Sequence, residues 1–93
     1  MIQSFADAET ALVWSGRRSR RLPADIQSVA LRKLRLLNQA RLLNDLRAPP
    51  GNRLEALKGE RAGRYSIRVN DQWRICFNWR DGGPAHVEIV DYH

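Results

Sequence analysis

The chain is predicted to fold as an α+β protein, with two N-terminal helices packed on a small, mostly antiparallel sheet. Three observations predict this. Apolar residues recur at helical spacing between positions 26 and 40. From position 64 onward the period drops to two, as in half-buried strands. Short polar turns join those later runs, so neighbouring strands run antiparallel and the helices cover one sheet face.

Each element follows from its residues. Residues 1–5, with Ile2 and Phe5 apolar, are expected to form a short strand. Asp7 can cap a short helix through Ala11, Leu12, Val13 and Trp14, which Gly16 stops. The basic run Arg17-Arg18-Ser19-Arg20-Arg21 connects to a second helix. Like charges with no apolar anchor before Leu22 predict a mobile connection. Pro23 suits the first turn of that helix and Asp25 its positive end. Its apolar stripe is Ile26, Val29, Ala30, Leu34, Leu37 and Ala40, with Arg32, Arg35 and Arg41 largely off it. A further turn is expected through Leu42, Leu43 and Leu46, ended by Pro49-Pro50-Gly51. Leu54 and Leu57 flank a short strand, with Lys58 assigned to its end beside Gly59. Tyr65, Ile67 and Val69 alternate with Arg64, Ser66 and Arg68; Trp73, Ile75, Phe77 and Trp79 alternate with Arg74, Cys76 and Asn78. Asn70-Asp71-Gln72 and Asp81-Gly82-Gly83-Pro84 are turns. Residues 86–91 make the last strand, with His86 at its start facing solvent.

Composition bounds the rest. A chain of 93 residues, 43% hydrophobic and 28% charged, suits one soluble globular domain over 1–93. No run is long enough to span a membrane and no signal peptide is visible, so a cytoplasmic location is the default. Cys76 is the only cysteine, which excludes an internal disulfide. Two histidines and one cysteine give no metal-ligand spacing, so neither a metal nor another cofactor is expected. The net charge is +6, and of 16 basic residues only Lys33 and Lys58 are lysines. Arginine forks match phosphate oxygens, which points to nucleic acid or an acidic protein partner; a basic surface from arginine-rich codon usage is the equally weighted alternative.

The alternation places Arg64, Ser66, Arg68, Arg74 and Asn78 on the sheet face away from the helices. That face can take a phosphate backbone, with Arg64 and Arg68 as RNA-binding candidates. The bland alternative is a solvated polar face. Trp14, Trp73 and Trp79 read as core rather than as base-stacking platforms. The chain also carries Asp91, Tyr92 and His93 directly after the β-branched run Val87, Ile89 and Val90. RNA cleavage without metal needs a base for the ribose 2′-hydroxyl, an acid for the leaving 5′-oxygen and cations for the developing phosphorane charge. Asp91 or His93 can supply the base, Tyr92 or His93 the acid, and Lys58, Arg68 and Arg74 the positive charge.

The stretch Asn52-Arg53-Leu54-Glu55-Ala56-Leu57-Lys58-Gly59, continuing through Arg64-Tyr65-Ser66-Ile67-Arg68-Val69 and Trp73-Arg74-Ile75-Cys76-Phe77 to Asp91-Tyr92-His93, resembles the HigB toxins. These plasmid-maintenance killer proteins belong to the RelE/ParE superfamily, and the GraT-like subgroup is especially similar. The resemblance spans nearly the whole chain. It implies a RelE-like fold and an mRNA interferase that cuts messenger RNA in the ribosomal A site. It implies a HigA-type antitoxin with a helix-turn-helix domain, and an operator-binding complex of the two. It places catalytic roles on Lys58, Arg74, Asp91, Tyr92 and His93. Two positions depart from the pattern. Asn70 stands where several relatives carry a basic residue, with Arg68 as its replacement, and Glu55 stands where some carry a histidine. These departures leave room for a weak toxin. The competing readings are a gyrase poison of the ParE type and a non-catalytic nucleic-acid-binding module.

Overall fold

The computed structural model describes residues 1–61 and 63–92. Two helices, α1 (Ala8–Trp14) and α2 (Ala24–Gln39), precede a sheet of four strands: β1 (Glu55–Ala56), β2 (Arg64–Arg68), β3 (Trp73–Arg80) and β4 (Gly83–Asp91). The strands lie in the order β1-β2-β3-β4, each antiparallel to its neighbour. Residues 1–5 add only an isolated parallel bridge from Phe5 to Val87, not a strand.

Local chemistry explains the helix ends. The Asp7 carboxylate accepts the Thr10 amide at 2.7 Å and so caps α1, a contact worth about 1 kcal/mol. Gly16 follows α1 with φ of 82°, a left-handed conformation that glycine adopts freely. Pro23 is the residue just before α2 rather than inside it. The expected stripe is realised, with Ile26, Ala30, Leu34 and Leu37 buried and Ala40 buried as the helix cap. They meet Ile67, Ile75, Phe77, Val87 and Ile89 from the sheet, and Trp14, Trp73 and Trp79 pack around this cluster.

The basic connection is anchored, contrary to the expectation from its charge. Ser19 is buried. Its hydroxyl donates to Glu9 at 2.5 Å, and its amide and carbonyl are both engaged by the Gln27 side chain. A serine supplies the anchor that was sought among apolar residues.

After α2, Asp45 accepts the amides of Arg41 and Leu42 at 3.1 Å and starts a 3-10 turn, Leu43–Arg47. A second turn, Pro50–Asn52, leads into Arg53, whose backbone is left-handed (φ 45°, ψ 57°). The β3–β4 hairpin is tighter than expected. Asp81 and Gly82 both have positive φ and form its two-residue turn, so β4 already begins at Gly83 and Pro84. His86 therefore sits inside β4, exposed, at a bulge where its φ is 50°. The outer edge of β4 is covered by the start of the chain. Gln3 N–H donates to Pro84, Ser4 accepts Val87 N–H and Ala6 N–H returns to Val87. The Thr10 hydroxyl accepts the buried amide of Ile89 at 3.0 Å.

Candidate active site

Residues directly opposite in antiparallel strands share a face. The pairs Glu55–Ser66, Ser66–Cys76 and Cys76–Glu88 therefore form one row across the sheet away from the helices. Arg64–Asn78 and Arg68–Arg74–Val90 form the rows beside it. Tyr92, two residues beyond Val90, falls on this face by alternation, and its amide is tied to the Gln72 carbonyl at 2.6 Å.

Arg74 is the centre of the face. It is only 8% exposed, yet its guanidinium is well supplied with acceptors. Nε donates to the Ser66 hydroxyl at 2.8 Å, and Nη2 donates to the Arg53 carbonyl at 2.6 Å and the Ser66 carbonyl at 3.4 Å. The Tyr92 ring lies over it, 5.5 Å from guanidinium carbon to ring centroid. The Glu55 carboxylate stands 3.9 Å from Nη2, and its other oxygen accepts the Tyr92 hydroxyl at 3.4 Å. Arginine, phenol and carboxylate thus form one cluster. The cation is oriented from behind, and the half-exposed Glu55 supplies a proton acceptor beside a proton donor.

The other expected residues fall differently. Lys58 lies just past β1, not in it, and is exposed on the loop. Asp91 pairs with Trp73, which puts it on the opposite side of the sheet from Tyr92, and it accepts the Gln72 side chain at 3.2 Å. The structure therefore joins Arg74 to Tyr92 and leaves Asp91 apart. His93 lies outside the described residues. Arg64 is engaged by Asn78 at 2.6 Å, by the His86 carbonyl, and by Glu88 in an ion pair at 3.1 Å. Arg68 is paired with Asp71, whose carboxyl it holds below the ordinary range by hydrogen bond and charge. Each of these two RNA-binding candidates has an acidic partner within the chain.

Glu55 joins this candidate cluster without being a candidate in the sequence. It registered as the absence of a histidine, whereas its strand register brings a carboxylate to the same face. Asn70, read as a missing cation, is a turn residue. Its side-chain oxygen accepts the amides of Gln72 at 2.9 Å and Trp73 at 2.7 Å. Among the described residues no group of three or more His, Cys, Asp or Glu side chains is placed to hold a metal ion. No helix among them is long and apolar enough to cross a membrane.

A family model described as a RelE-like toxin of the type II toxin-antitoxin system HigB matches residues 3–93. The chain belongs to the HigB-like toxin family. A relative from Vibrio cholerae, "Toxin HigB-1", is 48% identical over 66 residues, covering 71% of this chain and 70% of the relative. "Endoribonuclease HigB" from Proteus vulgaris is 42% identical over 41 residues, 44% of this chain and 45% of that one. The fold is that of a solved "YoeB/ParE toxin from Agrobacterium tumefaciens", with a TM-score of 0.54 over 99% of this chain and 96% of that chain at 17% identity. Membership in a HigB-like toxin-antitoxin family implies an antitoxin partner for this chain.

Proposed function

We propose that this HigB-like chain is a metal-independent endoribonuclease that cuts messenger RNA in the ribosomal A site and so blocks translation in the cytoplasm. A HigA-type helix-turn-helix antitoxin neutralises it, and the complex of the two binds operator DNA. The cluster of Arg74, Tyr92 and Glu55 carries this reading, and the endoribonuclease name of the Proteus relative supports it.

The chemistry asks little of the protein. A base takes the 2′-hydroxyl proton, O2′ attacks phosphorus, the bond to the 5′-oxygen breaks and that oxygen takes a proton. The products are a 2′,3′-cyclic phosphate and a free 5′-hydroxyl. In this reading Glu55 removes the first proton, the Tyr92 hydroxyl delivers the second, and Arg74 with Lys58 neutralises the phosphorane oxygens. The family resemblance adds His93 to this proton-handling set, Asp91 lies across the sheet from it, and Arg64 and Arg68 flank the RNA path. Removing one preorganised donor from such a site costs roughly 10²–10³-fold in rate.

Induction of the wild type, Glu55→Gln, and the Arg74→Ala, Tyr92→Ala double variant tests the proposal, with primer extension on a reporter mRNA. Growth arrest with mapped cuts is expected for the wild type, with both lost in the double variant and weakened in Glu55→Gln. Arrest with intact mRNA, unchanged in the double variant, would point to a ParE-type gyrase poison instead.

A further inference from the structure

The buried Asn52 is unusual for its position. It is fully enclosed, and its side chain holds one short loop. Its amide nitrogen donates to the Leu46 and Ala48 carbonyls, both at 3.2 Å. Its oxygen accepts the Lys33 ammonium at 2.5 Å, which ties the loop to α2. The next residue, Arg53, is in the left-handed region, a strained conformation for a residue other than glycine. That conformation aims the Arg53 carbonyl at the Arg74 guanidinium, where it accepts the shorter of the Nη2 hydrogen bonds.

We infer that Asn52 and Lys33 are positioning residues for Arg74, acting through the Arg53 carbonyl. The inference rests on the reading of Arg74 as the residue that stabilises the phosphorane. Asn52 locks the loop, the lock holds Arg53 in its strained conformation, and the carbonyl so presented fixes the plane of the guanidinium beneath Tyr92. Without the lock, Arg53 relaxes to an ordinary conformation and its carbonyl turns away. Arg74 then keeps Ser66, the Tyr92 ring and the looser Glu55 contact, and is free to tilt. Lys33 is the outer member of this chain. Burial first, and then the neighbouring Arg32 and Arg68, push its pKa below the ordinary lysine value. The ammonium donates to the Asn52 oxygen there, so each partner supports the other.

A double-mutant cycle between Asn52→Ala and Arg74→Lys tests the inference, with cleavage of a reporter mRNA followed in a cell-free translation system. Arg74→Lys keeps the charge but lacks the planar fork that spans Ser66 and Arg53. Asn52→Ala is expected to lower kcat on the order of 100-fold with little change in KM, as misplacement of a catalytic group does. The double variant should be no slower than Arg74→Lys alone, because both changes undo the same alignment. Additive losses would overturn the inference, since a merely structural role for Asn52 acts independently of Arg74.

Side-chain NMR of Arg74 gives a second readout that needs no cleavage. Rotation of the guanidinium should be hindered in the wild type and freed in Asn52→Ala; unchanged hindrance overturns the relay. If Asn52→Ala does not fold, Lys33→Met enters the same cycle and the same NMR measurement. A smaller loss, absorbed in the same way by Arg74→Lys, is expected, and an additive one again overturns the relay. If Arg74→Lys cleaves at the wild-type rate, the catalytic reading of Arg74 fails, and the NMR arm still decides whether Asn52 orients it.

Discussion

A carboxylate and a side-chain amide illustrate how residue-scale meaning depends on register. Glu55 and Asn70 both stand out in the sequence as departures from a family pattern. The strand pairing of Glu55 with Ser66 makes the first a neighbour of Arg74 and Tyr92. The hydrogen bonds of Asn70 make the second a turn former. Neither could be read before the pairing was known, because a one-residue slip turns every side chain to the other face. Asp91 and Tyr92 make the same point: they are adjacent in sequence and fall on opposite sides of the sheet. Arg68 and Asp71 lead to a prediction about pH. The Asp71 pKa is depressed in the fold, chiefly by the Arg68 hydrogen bond. A depressed carboxylate pKa contributes stability that is present above the unfolded value and lost as pH falls through the folded one. Thermal melts should therefore lose stability below about pH 4, the ordinary aspartate range, and Asp71→Asn should flatten that part of the curve. The pair is solvent-facing, so high salt should shrink the difference. An unchanged acid limb in Asp71→Asn would refute the assignment.

At the scale of elements, the helices and the three long strands were legible because periodicity reports burial directly. What escaped was punctuation. The Asp81-Gly82 turn looks four residues long in the sequence because Gly83 and Pro84 resemble loop formers, yet Pro84 needs no amide for its place and Gly83 sits where bulk is excluded. A Cβ there would lie 2.7 Å from the Met1 carbonyl oxygen. The connection over 17–21 departs from its sequence for a related reason. Its charges suggest mobility, but Ser19 is fastened to both helices, through Glu9 on α1 and Gln27 on α2. Hydrogen exchange should show protection at the amides of Ser19 and Arg21, which donate to Gln27 and to the Ser19 hydroxyl. Ser19→Ala should cost about 1 kcal/mol, the usual net worth of a hydrogen bond. Exchange at unprotected rates through 17–21 would restore the mobile reading.

For the whole molecule, composition announced a strongly basic protein without saying how the charge is deployed. On the sheet face much of it is neutralised internally, by Glu88 against Arg64 and Asp71 against Arg68. The arginine at the centre is held in place by neutral oxygens and by Tyr92, with the Glu55 carboxylate at 3.9 Å. The coverage of the β4 edge by residues 3–6 has a consequence in time rather than in space. Residues near position 3 to 10 have hydrogen-bond partners far along the chain: Gln3 on Pro84, Ser4 on Val87, Thr10 on Ile89. Contacts of such wide sequence separation are late events in folding. The sheet edge and Tyr92 alike are supplied by residues made at the end of this sequence. A nascent chain stalled before residue 83 should therefore be protease-sensitive and without activity, and it should become resistant only when β4 has emerged.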